Sequence, residues 1–129
     1  MRSRPSSATI RHMRPTVLIV DDHPAFRESA SALLEAEGFA VVGEAADGDE
    51  AITAVKRLRP QVVLLDIQLP DLDGFTVAER LAAGPDPPTV VLISSREAAA
   101  YGPRLDGAAV MGFIPKRELS GSVLASLVR

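Results

Sequence analysis

A chain of 129 residues that is 47% hydrophobic can bury roughly two-thirds of its unfolded surface in one core and would be cramped as two domains. It contains no cysteine, which excludes disulfides and thiolate metal sites and is compatible with a reducing cytoplasm. Charge is uneven: residues 1–15 hold Arg2, Arg4, Arg11 and Arg14 and no acid, so the remainder carries ten basic against seventeen acidic residues. An acidic body of that kind argues against a nucleic-acid surface.

The Arg/Ser/Pro-rich stretch 1–15 has no apolar periodicity and is expected to be a flexible basic leader. No apolar run approaches the roughly 20 residues of a membrane span, and the N-terminus lacks the apolar centre of a signal peptide, so a cytoplasmic protein without membrane contact is expected. From Thr16 the chain alternates strand and helix. Thr16-Val17-Leu18-Ile19-Val20 is an apolar run closed by Asp21-Asp22. Pro24 then opens a helix in which Phe26, Ala30, Leu33 and Leu34 recur at helical spacing until Gly38 stops it. The more polar run 40–45 predicts a strand near an edge. Asp47-Gly48 turns into a helix with Ala51, Val55 and Leu58 on one face, closed by Pro60.

Val62-Val63-Leu64-Leu65 is apolar on both strand faces, as a central parallel strand is, and it ends in Asp66. Pro70 and Gly74 fix a loop before a helix over about 75–83, which Gly84-Pro85-Asp86-Pro87-Pro88 breaks. The next run, 89–93, ends in Ser94-Ser95. Ala98 to Tyr101 favour helix while Gly102-Pro103 interrupts it, so a short or mobile fourth helix is expected. Gly112-Phe113-Ile114 precedes Pro115 and Lys116, and a last helix is expected over 118–128 with Leu119, Val123, Leu124 and Leu127 buried. Short connections favour a parallel sheet with right-handed crossovers, and then acids, a hydroxyl and an ammonium converge on the rim where α/β sheets carry their chemistry.

These residues resemble a two-component response regulator receiver domain: the acid pair Asp21-Asp22, Asp66 within Asp66-Ile67-Gln68-Leu69-Pro70-Asp71-Leu72-Asp73-Gly74, then Ser94, Phe113 and Lys116, in order over nearly the whole chain. The resemblance implies a flavodoxin-like doubly wound α/β fold, a five-stranded parallel sheet of order 2-1-3-4-5 with helices on both faces, filling 16–129. It implies that Asp66 is the phosphoacceptor, served by Lys116 and Ser94, with Ser94 and Phe113 as the switch pair. Donors would be a histidine kinase or a phosphotransfer protein. The wording around Asp22-His23-Pro24 and Phe113-Ile114-Pro115-Lys116 is similar to the branch that usually carries a helix-turn-helix output domain. None follows in this chain, so the output is expected to run through a downstream protein partner or a missing domain, with a homodimer possible and no specific nucleic-acid binding by this chain.

Carboxylates sharing a rim repel by about 4 kcal/mol per pair at 4 Å and an effective dielectric near 20, so they need a cation. All-oxygen donors suit Mg²⁺ better than zinc. Asp22 and Asp66 are the expected direct ligands, with Asp21 acting through water, and the resemblance adds the backbone carbonyl of Gln68. His12 and His23 are poor alternatives. Two other readings compete with a signalling switch that is not itself an enzyme. One is a Mg²⁺-dependent aspartyl-nucleophile phosphohydrolase, disfavoured because Gln68 stands where that type has a second acid. The other is a flavodoxin-like cofactor binder, disfavoured because no Gly-rich or Ser/Thr-rich phosphate loop follows Val20.

Overall fold

The structure, a computed structural model, describes residues 14–128; most of the expected leader, His12 included, lies outside the described residues. The elements in chain order are β1 (Thr16–Val20), α1 (Pro24–Ala36), β2 (Ala40–Ala45), α2 (Gly48–Leu58), β3 (Val62–Asp66), α3 (Gly74–Ala82), β4 (Thr89–Ser94), α4 (Pro103–Asp106), β5 (Gly112–Pro115) and α5 (Gly121–Val128), with single 3₁₀ turns at Ala98–Ala100 and Lys116–Glu118. The five strands are parallel in the order β2-β1-β3-β4-β5, as the resemblance implies.

Alternation along the strands divides the core in two. Leu18, Val20, Val63, Leu65 and Leu92 face Ala51, Ala54, Phe75, Val77, Ala78 and Leu81 of α2 and α3. Val17, Ile19, Leu64, Val91 and Ile93 face Ala30 and Leu34 of α1 and Leu124 of α5. Helices therefore cover both faces, and every residue of β3 is buried. Each large apolar side chain so enclosed contributes about 1.5–3 kcal/mol, which makes β3 a rigid support for whatever its end carries.

Local chemistry explains the helix starts. Asp47 caps α2 by accepting from the Glu50 N–H at 2.8 Å, and Asp73 caps α3 by accepting from the Thr76 N–H at 2.9 Å. The last helix starts later than its apolar spacing predicts. Leu119 is extended, and Ser120 caps the helix by accepting from the Val123 N–H at 3.1 Å, while Glu37 accepts from the Gly121 N–H at 2.9 Å. Leu124 is buried, but Val123 is 38% exposed. Leu33 is likewise 37% exposed, because the buried stripe of α1 runs through Ala30 and Leu34 and leaves Leu33 at its margin.

Arg14 and Pro15, the end of the expected leader, are attached to the fold: Arg14 Nη1 donates to the Glu35 carbonyl at 3.3 Å, and the Pro15 carbonyl accepts from the Ala40 N–H at 2.9 Å. Both sheet edges are irregular. The β1–β2 register slips between the pairs Val17–Val41 and Leu18–Gly43, and β5 is four residues long and ends in Pro115.

Candidate functional site

From β1 the chain turns outward to β2 on one side, whereas β3, β4 and β5 follow on the other. The crevice at the carboxyl ends of β1 and β3 is thus the topological switch point, where ligands bind in open α/β sheets. Asp21 and Asp22 leave β1 and Asp66 ends β3, so both sides of that crevice carry acid.

Asp21 is fully buried and Asp66 is 2% exposed, whereas Asp22 is exposed. The Asp21 N–H donates to the Ala45 carbonyl at 3.0 Å, continuing the β1–β2 pairing. Arg27 supports the turn: its Nη1 donates to the Asp21 carbonyl at 2.6 Å and its Nε to Glu44 Oε1 at 3.0 Å. The His23 N–H donates to Asp21 Oδ1 at 2.8 Å, and the exposed His23 ring places Nδ1 3.0 Å from both Asp21 Oδ1 and Asp22 Oδ1. The Gln68 N–H donates to Asp66 Oδ1 at 3.0 Å. Lys116 reaches in from the end of β5, with Nζ 3.1 Å from Asp66 Oδ2, against Asp21 Oδ2 and 4.6 Å from the centre of the Phe26 ring.

One ammonium therefore serves two buried carboxylates. Burial pushes the Asp66 carboxyl up to about 6, against the pull of the Gln68 N–H and Lys116, and the Asp21 charge adds to the rise. Burial also works against ionisation of Asp21, but Lys116 and the His23 N–H outweigh it and hold this carboxyl below its ordinary value. Lys116 is raised, since the two acids more than offset its own desolvation. Asp21 Oδ2 is buried with no hydrogen bond of good geometry. One donor atom each from Asp21, Asp22, His23 and Asp66 lies within 4.8 Å of the others. Three hard carboxylates, with Asp21 Oδ2 buried and held only by its ion pair with Lys116, fit a divalent cation of the Mg²⁺ type.

The sequence matches the response regulator receiver domain family over residues 17–128. The chain belongs to that family. BvgA of Bordetella pertussis is 35% identical over 102 residues, 79% of this chain and 49% of BvgA. A protein-glutamate methylesterase/protein-glutamine glutaminase of Alkalilimnicola ehrlichii is 38% identical over 117 residues, 86% of this chain and 30% of that protein. The signal receiver domain of NarL from Mycobacterium tuberculosis superposes with a TM-score of 0.78 at 34% identity, covering 88% of this chain and 96% of that domain. The chain spans about half or less of the length of these curated relatives, and one of them is by name an enzyme, so membership fixes the receiver and leaves its output open.

In this receiver Ser94 is the last residue of β4 and fully buried, one position beyond Ile93, the β-ladder partner of Asp66. Its Oγ accepts from the Arg96 N–H at 3.0 Å and lies 2.5 Å from the Tyr101 hydroxyl. Phe113 on β5 is half-buried, its ring centre 6.0 Å from that of Tyr101. Tyr101 was visible in the sequence only as part of a weak helical segment; its pairing with Ser94 crosses an irregular turn that leaves no periodic trace.

Asp71 also escapes sequence reading. From the loop after β3 it reaches back to the start of α2, where Oδ1 accepts from the Gly48 N–H at 2.7 Å and Oδ2 from the Asp49 N–H at 2.9 Å. Those donors hold its carboxyl below the ordinary value. Asp71→Ala is expected to cost about 1 kcal/mol, the usual worth of a cap. Because a depressed carboxyl stabilises above its unfolded pKa and loses that contribution as pH falls through the folded one, the gap between wild type and variant in thermal melts should be full at neutral pH and close in acid.

Proposed function

We propose that Asp66 is the phosphoacceptor of a phosphorylation-dependent signalling switch, taking its phosphoryl group from a histidine kinase or a phosphotransfer protein. The observation that carries this reading is the placement of Asp66: a buried carboxylate at the end of the central strand, facing Lys116 and an acid pair across the switch-point crevice. Phosphoryl transfer needs mainly alignment and neutralisation of oxygens. The Asp66 oxygen forms the new O–P bond as the N–P bond of the phosphohistidine donor breaks, and the imidazole leaves. Lys116 then meets one phosphoryl oxygen as a point charge and Ser94 hydrogen-bonds another.

Asp22, Asp66 and the Gln68 carbonyl would hold Mg²⁺ directly, with Asp21 as an outer ligand. Bound there, the cation neutralises the carboxylates and the phosphoryl oxygens. Phe113 is the ring that follows Ser94 when the hydroxyl moves, and output passes to a protein partner or an attached domain, in the cytoplasm. Intact-mass analysis after treatment with acetyl phosphate and Mg²⁺ is expected to show a single adduct that Asp66→Asn removes. An adduct that survives in that variant, or that forms equally well in chelator, would overturn the assignment.

A further inference from the structure

We infer that Tyr101 is a latch on Ser94, holding the serine hydroxyl away from the phosphoryl site and tying the surface segment around α4 to the end of β4 until phosphorylation pulls the two apart. The inference rests on the reading of Asp66 as phosphoacceptor and adds to it a residue outside the expected Ser94–Phe113 pair.

The hydrogen bonds of Ser94 Oγ run to its own following segment, to Arg96 N–H and the Tyr101 hydroxyl. The Asp66 carboxylate is engaged instead by Lys116 and the Gln68 N–H. A serine hydroxyl occupies discrete staggered positions about one bond, so an oxygen set against Tyr101 must leave that position to serve a phosphoryl oxygen on the neighbouring strand. Tyr101 and the phosphoryl group therefore compete for one hydroxyl.

The segment that Tyr101 anchors lies at the surface, with Leu105 half-buried against the core and Glu97 paired with Arg117. Neither the turn Ala98–Ala100 nor α4 contains a buried residue, and Gly102, with φ at +53°, separates them. What fixes the segment is side-chain contact. The Tyr101 ring meets Phe75 edge-on at 5.9 Å and Phe113 at 6.0 Å, while Arg104 lies 4.3 Å over the Phe75 ring and pairs with the cap residue Asp73 at 3.0 Å. A half-buried phenol that loses its partner is left with an unpaired hydroxyl, which is costly, so the ring must repack or turn to water. Phe113 carries no hydroxyl; the polar end of the latch comes from Tyr101. Phosphorylation is thereby turned into a change of the surface formed by α4 and the end of β5.

The chain has one tyrosine and no tryptophan, so its intrinsic emission reports on Tyr101 alone. The experiment is a titration with beryllium fluoride and Mg²⁺, following tyrosine emission in the wild type and the bound fluoride by fluorine NMR in the wild type, Tyr101→Phe, Ser94→Ala and Asp66→Asn. Emission is expected to change on saturation in the wild type and to stay constant in Ser94→Ala. Tyr101→Phe keeps the ring and removes the competitor, so it is expected to bind beryllium fluoride about fivefold more tightly, the worth of one neutral hydrogen bond. A merely damaged variant would bind more weakly. Equal or weaker binding by Tyr101→Phe, or constant emission in a saturated wild type, overturns the latch alone. Absence of binding by the wild type, or equal binding by Asp66→Asn, overturns the phosphoacceptor reading and the latch with it.

Discussion

Asp66→Asn is expected to melt about 10 °C above the wild type near pH 8 in chelator. With both Asp21 and Asp66 ionised, two buried negative charges share the single Lys116 ammonium; the neutral amide leaves Asp21 and Lys116 as a balanced pair. The sign follows from the raised carboxyl. Below the ordinary pKa of 3.8 both folded and unfolded forms are protonated, and stability falls as pH climbs from there to the folded value of about 6. Above that value the full penalty applies, roughly 3 kcal/mol for a shift of this size. The advantage of the variant should shrink to about half near pH 5 and nearly vanish by about pH 4. Added Mg²⁺ should narrow it as well, because a cation bound by the folded wild type stabilises that state by mass action. Thermal melts across pH, with and without the metal, check this. An asparagine variant that melts at or below the wild type near pH 8 in chelator would mean that Asp66 is not held ionised at a cost to the fold.

The second large effect lies at Gly74, where α3 begins. A Cβ there would stand 2.6 Å from the Asp66 carbonyl oxygen and 2.7 Å from Ile67 Cα. Both are backbone atoms, tied to Gly74 by the hydrogen bond from its N–H to the Ile67 carbonyl at 2.8 Å, so neither can swing aside. Gly74→Ala must separate the start of α3 from the end of β3, at a cost of about 3 kcal/mol, the upper part of the range for overpacking. The melting temperature should fall by about 10 °C, and phosphoryl uptake should drop because Asp66 moves with its backbone. Gly84→Ala is the control. Its Cβ would meet nothing closer than the Leu81 carbonyl at 3.4 Å, and a change within about 0.5 kcal/mol is expected. If Gly74→Ala melts with the wild type, the close approach does not constrain the site.

The ends of β1, β3 and β4 were legible because each of these strands is an apolar run that closes at a polar residue, whereas β2 runs on through Glu44. Val62 to Leu65 followed by Asp66, and Thr16 to Val20 followed by Asp21, place two acids on one rim from residue type alone, and Lys116 after Ile114 completes the set. Helix stripes were less legible. Spacing alone cannot tell which margin of a stripe meets the sheet, so Val123 reads as buried and stands at the surface, as does Leu33 beside the buried Ala30 and Leu34. The last helix read too long because Leu119 continues the apolar spacing, while the Ser120 cap that starts the helix is a local competition between side chain and backbone. The two residues missed at the site share one cause. Asp71 finds its partners 23 and 22 residues earlier, and Tyr101 meets Ser94 across irregular residues 95–97 and the single turn Ala98–Ala100; neither pairing follows a period of the chain.

The irregular sheet edges bear on how this receiver stays apart from its own copies. A flat outer strand offers a row of free N–H and C=O groups on which another chain can polymerise, and long regular edges are where aggregation begins. Here β2 is bent by its register slip and carries Gly43 and Glu44, while β5 is short and closes with a proline that has no N–H to give. Neither outer strand therefore offers the long flat row of free backbone groups on which strand-to-strand association starts.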